Sequence, residues 1–169
     1  KEGLAERGTK TFLVVRHDKI VYEWYAPDYG PEKRHYTASL AKALVGGVSL
    51  MLALNDGRLQ VDDPAWKYIP MWKDHPQKSK ITIRHLATHS SGIEDSVTTD
   101  LDHEEQSGWK GNFWRGRSNP EFNPISIAIN EAPIIFEPGT DYAYSNPGMA
   151  VLSYVVTASI KDAPQSDIR

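Results

Sequence analysis

Ser39-Leu-Ala-Lys-Ala-Leu-Val-Gly-Gly-Val-Ser-Leu-Met-Leu-Ala-Leu-Asn55 is the stretch that decides how this chain folds. Lys42 is the only charged residue in an apolar or small run from Ala38 to Asn55. The apolar residues fall on nearly every side of a 3.6-residue wheel, which predicts a helix buried all round. A buried lysine is costly unless it is paired or neutral. Residues three apart share a helix face, so Ser39 Oγ and the Lys42 amine meet in the first turn. An amine held below the ordinary lysine pKa of about 10.4 can take a serine's proton. The competing reading is that Ser39 only caps the helix while Lys42 snorkels to water.

S-x-x-K alone is weak, because Ser107-Gly-Trp-Lys110 repeats it. That copy carries Gly108 and Gly111 in a polar stretch without helical periodicity. Glycine disfavours a helix by about 1 kcal/mol each, so Ser107 and Lys110 read as loop residues. A second motif separates the two copies. Tyr144-Ser-Asn146 lies within Glu137-Pro-Gly-Thr-Asp-Tyr-Ala-Tyr-Ser-Asn-Pro-Gly148 and is the one Y-x-N of the chain. Pro138-Gly139 reads as a turn, and Asn146-Pro147 as N-cap and first position of a helix over Met149 to Ile160. Tyr144 then sits on a constrained loop, either as a core aromatic or with its hydroxyl free to approach another element.

With S-x-x-K and Y-x-N together, the chain resembles the serine β-lactamases and penicillin-binding-protein-like hydrolases. It is most similar to the branch that includes class C β-lactamases, DD-peptidases, serine esterases and amide hydrolases; the related class A enzymes share S-x-x-K. The resemblance runs from about Thr11 to Ile160. It includes the hairpin-like Phe12–Glu23, the Asn55–Pro64 segment and Ile81-Thr-Ile-Arg-His-Leu-Ala-Thr-His-Ser-Ser-Gly-Ile93. The fold it implies is α+β (α/β): an antiparallel sheet flanked by helices, and a helical region carrying the serine helix. On that basis residues 1–36 supply sheet strands and residues 37–169 the helical region of one β-lactamase-like domain.

The resemblance implies Ser39 as the acylated nucleophile, Lys42 as its helper, and Tyr144 as general base. Asn146 is implied to hold a substrate carbonyl or amide. Simple physics agrees, since a serine hydroxyl is a weak nucleophile without a base beside it. A tyrosine can act as a base near neutrality only where cations favour its phenolate, which couples it to Lys42. The Ser39 N–H at a helix start is a natural oxyanion donor. The family's third motif, a K-T-G or H-x-G triad on a strand, does not follow Asn146. The expectation is that 1–169 is the N-terminal portion of a longer polypeptide. Its complement, continuous or a second cleaved chain, would bring the missing C-terminal strands and pair with the Thr11–Tyr25 hairpin. The substrate expected is a β-lactam, a D-amino-acid peptide or a small ester or amide. The alternative is a catalytically silent relative that binds such ligands or a partner.

Composition sets the remaining bounds. With 169 residues and 40% hydrophobic content the chain has the length of one domain. A net charge of -3 invites neither nucleic acid nor an anionic membrane. No apolar run reaches the roughly 18 to 20 residues of a spanning helix. The absence of cysteine excludes disulfides and thiolate metal sites. Nothing calls for a cofactor or metal. No signal peptide or initiator Met is present, so Lys1 reads as a processed or trimmed start; the location leans periplasmic or secreted, with the cytoplasm open.

Along the chain, a short helical or irregular stretch over Lys1–Lys10 precedes strands Thr11–Arg16 and Lys19–Tyr25, turning at His17-Asp18. Gly57 ends the serine helix and Thr82 caps a short one over Ile83–Thr88. Glu94–Pro124 reads as a long loop, followed by a helix near Ile125–Asn130. His85 and His89 have i, i+4 metal spacing, but no H-E-x-x-H glutamate accompanies them, which favours a structural role. Asp100, Asp102, His103, Glu104 and Glu105 read as a solvated loop rather than a cation site. Trp109, Phe113, Trp114 and Phe122, with Arg115 and Arg117, form either a lid over a hydrophobic substrate or an anchor for the loop.

Overall fold

The computed structural model describes residues 2–98 and 100–160. Lys1, Thr99 and residues 161–169, on which parts of the N-terminal and loop expectations fall, lie outside them. The chain divides into two compact units, Lys1–Ala38 and Ser39–Arg169.

In the first unit, helix α1 (Glu2–Glu6) is followed by strands β1 (Thr11–Arg16) and β2 (Lys19–Tyr25). The strands pair antiparallel from Thr11 opposite Tyr25 to Arg16 opposite Lys19, with an irregularity between Val14 and Val15. His17 and Asp18 turn at φ 49° and 58°, the left-handed pair that a two-residue hairpin with the right-handed twist demands.

In the second unit the serine stretch departs from a regular α-helix. Lys42–Gly47 is π-helical and only Val48–Asn55 is regular (α2). The Gly46-Gly47 pair lowers the penalty for leaving α geometry. The expected all-round burial is also corrected. Leu44, Val45, Met51 and Leu52 are more than half exposed, Ala53 is buried, and Lys42 is half-buried. Leu50, Ala53 and Leu54 make a single i, i+3, i+4 stripe that joins the core. Gly57 closes α2 at φ 65°, with Gly57 N–H on Leu54 O and Arg58 N–H on Ala53 O.

The core gathers around α6 (Asn146–Ala158), whose Val151, Leu152 and Val155 pack with Trp72, Ile81, Ile83, Leu86 and Ile93. Thr82 caps α3 (Ile83–Ala87) in a reciprocal box: its Oγ1 accepts the His85 N–H, and His85 Nδ1 accepts the Thr82 N–H. Ile93 bridges Ile134, with Glu94 N–H on Pro133 O and Ile135 N–H on Gly92 O. Gly92, at φ 76°, has Phe136 O where a Cβ would stand. α5 (Pro124–Asn130) is capped by Asn123 and lies against α6.

The expected long loop holds a helix, α4 (Gly108–Arg115), with a 3₁₀ turn at His103–Glu105 before it. The two glycines argued against this helix, yet one of them makes it possible. A Cβ on Gly111 would lie 1.8 Å from Gln106 O, so its absence lets that carbonyl approach and accept from Arg115 Nη2 at 2.9 Å. Ser107 therefore stands at a helix start, but Lys110 Nζ turns to Glu94 Oε1 at 2.7 Å. Phe113 and Trp114 are buried and Trp114 Nε1 donates to Ser96 O, which is the anchoring reading of the aromatic cluster.

Gly111→Ala tests this packing. Helix propensity alone predicts a gain of about 1 kcal/mol. The contact with Gln106 O predicts instead a loss of about 1–3 kcal/mol, as for an overpacked core, read as a lower midpoint in urea unfolding.

Candidate active site

Ser39 and Lys42 are brought together by one turn of chain. Lys42 N–H donates to Ser39 O at 3.0 Å, and Lys42 Nζ donates to Ser39 Oγ at 2.9 Å. Ser39 Oγ thus serves the amine rather than capping its own helix. Tyr144 arrives from 105 residues further along: its hydroxyl is hydrogen-bonded to Ser39 Oγ at 2.9 Å. Lys42 Nζ stands 5.3 Å from the centre of the Tyr144 ring. One serine oxygen therefore has two proton-exchanging groups in bonding reach, from opposite ends of the sequence.

The loop carrying Tyr144 is held by His89. His89 O accepts the Ala143 N–H at 3.0 Å, and His89 Nδ1 accepts the Ser145 N–H at 3.1 Å. The imidazole lies against the Tyr144 ring, with centroids 4.6 Å apart and 30° between planes. Burial pushes the His89 pKa below its ordinary value, and the Lys42 cation adds to this. Neutral His89 with Nδ1 accepting carries its proton on Nε2.

Asn146 was expected to cap α6, but Ser145 does so. Ser145 is extended at φ -143° and ψ 114°, and its Oγ accepts the Gly148 N–H at 2.9 Å. Asn146 becomes the first helical residue and is held by Asp95. Asp95 Oδ1 accepts the Asn146 N–H at 2.8 Å, Asn146 Nδ2 at 3.0 Å and the Ser96 N–H at 2.8 Å. A carboxylate only accepts, so the amide nitrogen of Asn146 faces Asp95.

Two shallow clefts are lined by Lys42, one of them also by Ser39. One, of about 260 Å³, is lined by Ser39, Lys42, Leu50, His89, Tyr144 and Met149. The other, of about 270 Å³, lies where Lys42 and Asn146 meet Phe113, Trp114 and Arg117. The loop aromatics thus anchor α4 and also wall the space beside Lys42. The Arg117 guanidinium lies 4.3 Å from the Trp114 ring centre, and His103 stacks on that ring at 4.2 Å.

In the i, i+4 histidines each Nδ1 accepts a backbone N–H, so both rings have structural roles. Among the described residues no three or more His, Asp or Glu gather as a metal site would require. Sequence reasoning missed Asp95, which no local pattern distinguishes from the polar residues around it. For His89 it favoured a structural role over a metal pair, without showing what that role is. The signal for that role was its place beside the helix end at Thr88, where a residue of left-handed φ is common; His89 has φ 56°.

The beta-lactamase family model matches residues 2–162. The chain belongs to the beta-lactamase family. It is 29% identical over 154 residues to the beta-lactamase-like protein str5 of Strobilurus tenacellus, covering 82% of this chain and 55% of that protein. It is 25% identical over 115 residues to the 6-aminohexanoate-dimer hydrolase of Paenarthrobacter ureafaciens, covering 65% of this chain and 29% of that one. Among solved structures, a Bacillus anthracis protein provisionally assigned as a 6-aminohexanoate-dimer hydrolase superposes with a TM-score of 0.70 at 22% identity. That likeness covers 96% of this chain and 43% of the other, and it shows the beta-lactamase-like fold. The chain spans about half, or less, of the length of these relatives.

Asp95→Ala would leave three donors without their acceptor. The expected loss is about 1–3 kcal/mol in urea unfolding, while Asp95→Asn, which keeps an oxygen there, should lose less. Equal losses would show that the acceptor geometry is not what matters.

Proposed function

We propose that this chain is the nucleophile-bearing part of a serine hydrolase that cleaves an amide or ester through an acyl-enzyme on Ser39. The observation that carries the reading is the pair of 2.9 Å hydrogen bonds on Ser39 Oγ, from Lys42 Nζ and Tyr144 Oη. Ser39 Oγ attacks the substrate carbonyl and its proton passes to the Lys42–Tyr144 pair. The pair returns that proton to the leaving nitrogen or oxygen as the bond breaks. In the second half, the pair draws a proton from water, the hydroxide attacks the acyl carbon, the bond to Ser39 Oγ breaks, and the proton goes to Ser39 Oγ. Lys42 and Tyr144 share one task because each reaches the same oxygen. In this reading Asn146, held by Asp95 and lining a cleft with Lys42, binds the substrate.

The substrate classes proposed are β-lactams, D-amino-acid peptides and small esters or amides. The likeness to a 6-aminohexanoate-dimer hydrolase supports amides as the first class to test. The proposal includes a C-terminal complement, supported by the share of each relative that the chain spans. That complement supplies the second oxyanion donor, whose absence costs on the order of 100- to 1000-fold in rate.

Lys42→Ala and Tyr144→Phe should each remove most turnover of a chromogenic ester or amide, in the chain joined to that complement. The double variant should be little worse than the poorer single, because groups acting as one unit are strongly non-additive. Losses that multiply would show two independent roles.

A further inference from the structure

Tyr144 has to meet Ser39 Oγ from a loop, and a loop is a poor support unless something fixes its backbone. His89 fixes it on both sides: its carbonyl takes the N–H of Ala143, before the tyrosine, and its ring takes the N–H of Ser145, after it. Its imidazole face also backs the phenol ring at 4.6 Å. The arrangement needs His89 at φ 56°, a left-handed backbone that a non-glycine residue adopts at an energetic cost. We propose that His89 is a positioning residue for Tyr144, a clamp that opens when its imidazole takes up a second proton. The inference deepens the hydrolase reading and rests on it for its catalytic consequence.

The mechanism of opening is a change of hydrogen-bond role. Neutral imidazole accepts at Nδ1, whereas the imidazolium donates from both nitrogens and then faces the Ser145 N–H as donor against donor. The charged groups around the ring set the direction. Lys42 from the serine helix opposes a second cation, Asp95 from the following loop favours it, and burial opposes it most. Tyr142 meets the ring edge-on at 6.1 Å and Tyr144 covers its face, both uncharged when protonated. On α3 itself, His85 is likewise held below its ordinary pKa by burial, and Arg84 is paired with Asp62. With the folded pKa of His89 below the ordinary value of about 6.5, the unfolded chain binds more protons in that window. The clamp is therefore intact at neutral pH and is lost as pH falls from about 6.5 through the lowered folded value.

Two variants separate positioning from mere folding. His89→Gly accepts the left-handed φ and keeps the carbonyl for Ala143, but has no ring and no side-chain acceptor for Ser145. His89→Asn also tolerates that φ, and its Oδ1 stands where Nδ1 stood. In p-nitrophenyl ester hydrolysis by the chain joined to its C-terminal complement, His89→Gly should lower kcat by about 100-fold with KM little changed, as for a misplaced catalytic group. His89→Asn should restore kcat at pH 7 and abolish the acidic limb below about pH 6.5. In NMR of the native chain, the Ser145 amide should shift with the same midpoint as the His89 ring. A Ser145 amide indifferent to that titration, or a His89→Gly kcat within about twofold of native, would overturn the clamp. A chain joined to its C-terminal complement that hydrolyses nothing, while Ser145 and His89 titrate together, would keep the clamp and reject the hydrolase reading.

Discussion

Ser39 Oγ is the point on which the rest of the site depends. It binds Lys42 Nζ and Tyr144 Oη, each at 2.9 Å, and the two partners have different structural origins. Lys42 comes free with the first helical turn, because residues three apart share a face. Tyr144 requires the fold. The Ile93–Ile134 bridge, the turn at Gly139 and the α6 cap at Ser145 all return the chain to α3, where His89 receives it. Gly139 belongs to this path: at φ 86° it lies against His85, and a Cβ there would stand 2.9 Å from Nε2. Helix α3 thus offers His85 to the turn before Tyr144, and the residue just beyond its C-cap, His89, meets Tyr144 itself.

The cleft beside Ser39 is open, and the serine helix leaves apolar residues exposed. Tyr144 is 37% exposed and the cleft over Ser39 holds about 260 Å³, below the 300–1,000 Å³ usual for ligand pockets. The outward residues of the serine helix, Leu44, Val45, Met51 and Leu52, form more exposed apolar surface than a solvated helix carries. Both facts fit a proposal in which further strands cover this helix and wall the cleft.

Much of this was legible in the sequence because the decisive signals are local. Two strand-like runs around the His17-Asp18 turn gave the hairpin, Gly57 the helix stop and Thr82 the α3 cap, each a matter of neighbouring residues. S-x-x-K and Y-x-N pointed to Ser39, Lys42 and Tyr144, which the structure brings together. What stayed hidden is set by distant contacts. α4 was obscured because Gly111 counts against a helix until Gln106 O is known to occupy its missing side chain. Asn146 lost the cap to Ser145 because Asp95, 51 residues away, takes its N–H. The serine helix was expected to be buried because its wheel is apolar, but a wheel reports which faces want cover, not which receive it.

The most direct test of the account is to locate the reactive serine. The chain would be treated with a fluorophosphonate and the adduct peptide mapped by mass spectrometry, alongside the Tyr144→Phe and Lys42→Ala chains. The account predicts one adduct, on Ser39, formed much more slowly in either variant. An adduct on Ser107, or a Ser39 adduct whose rate ignores both substitutions, would contradict it.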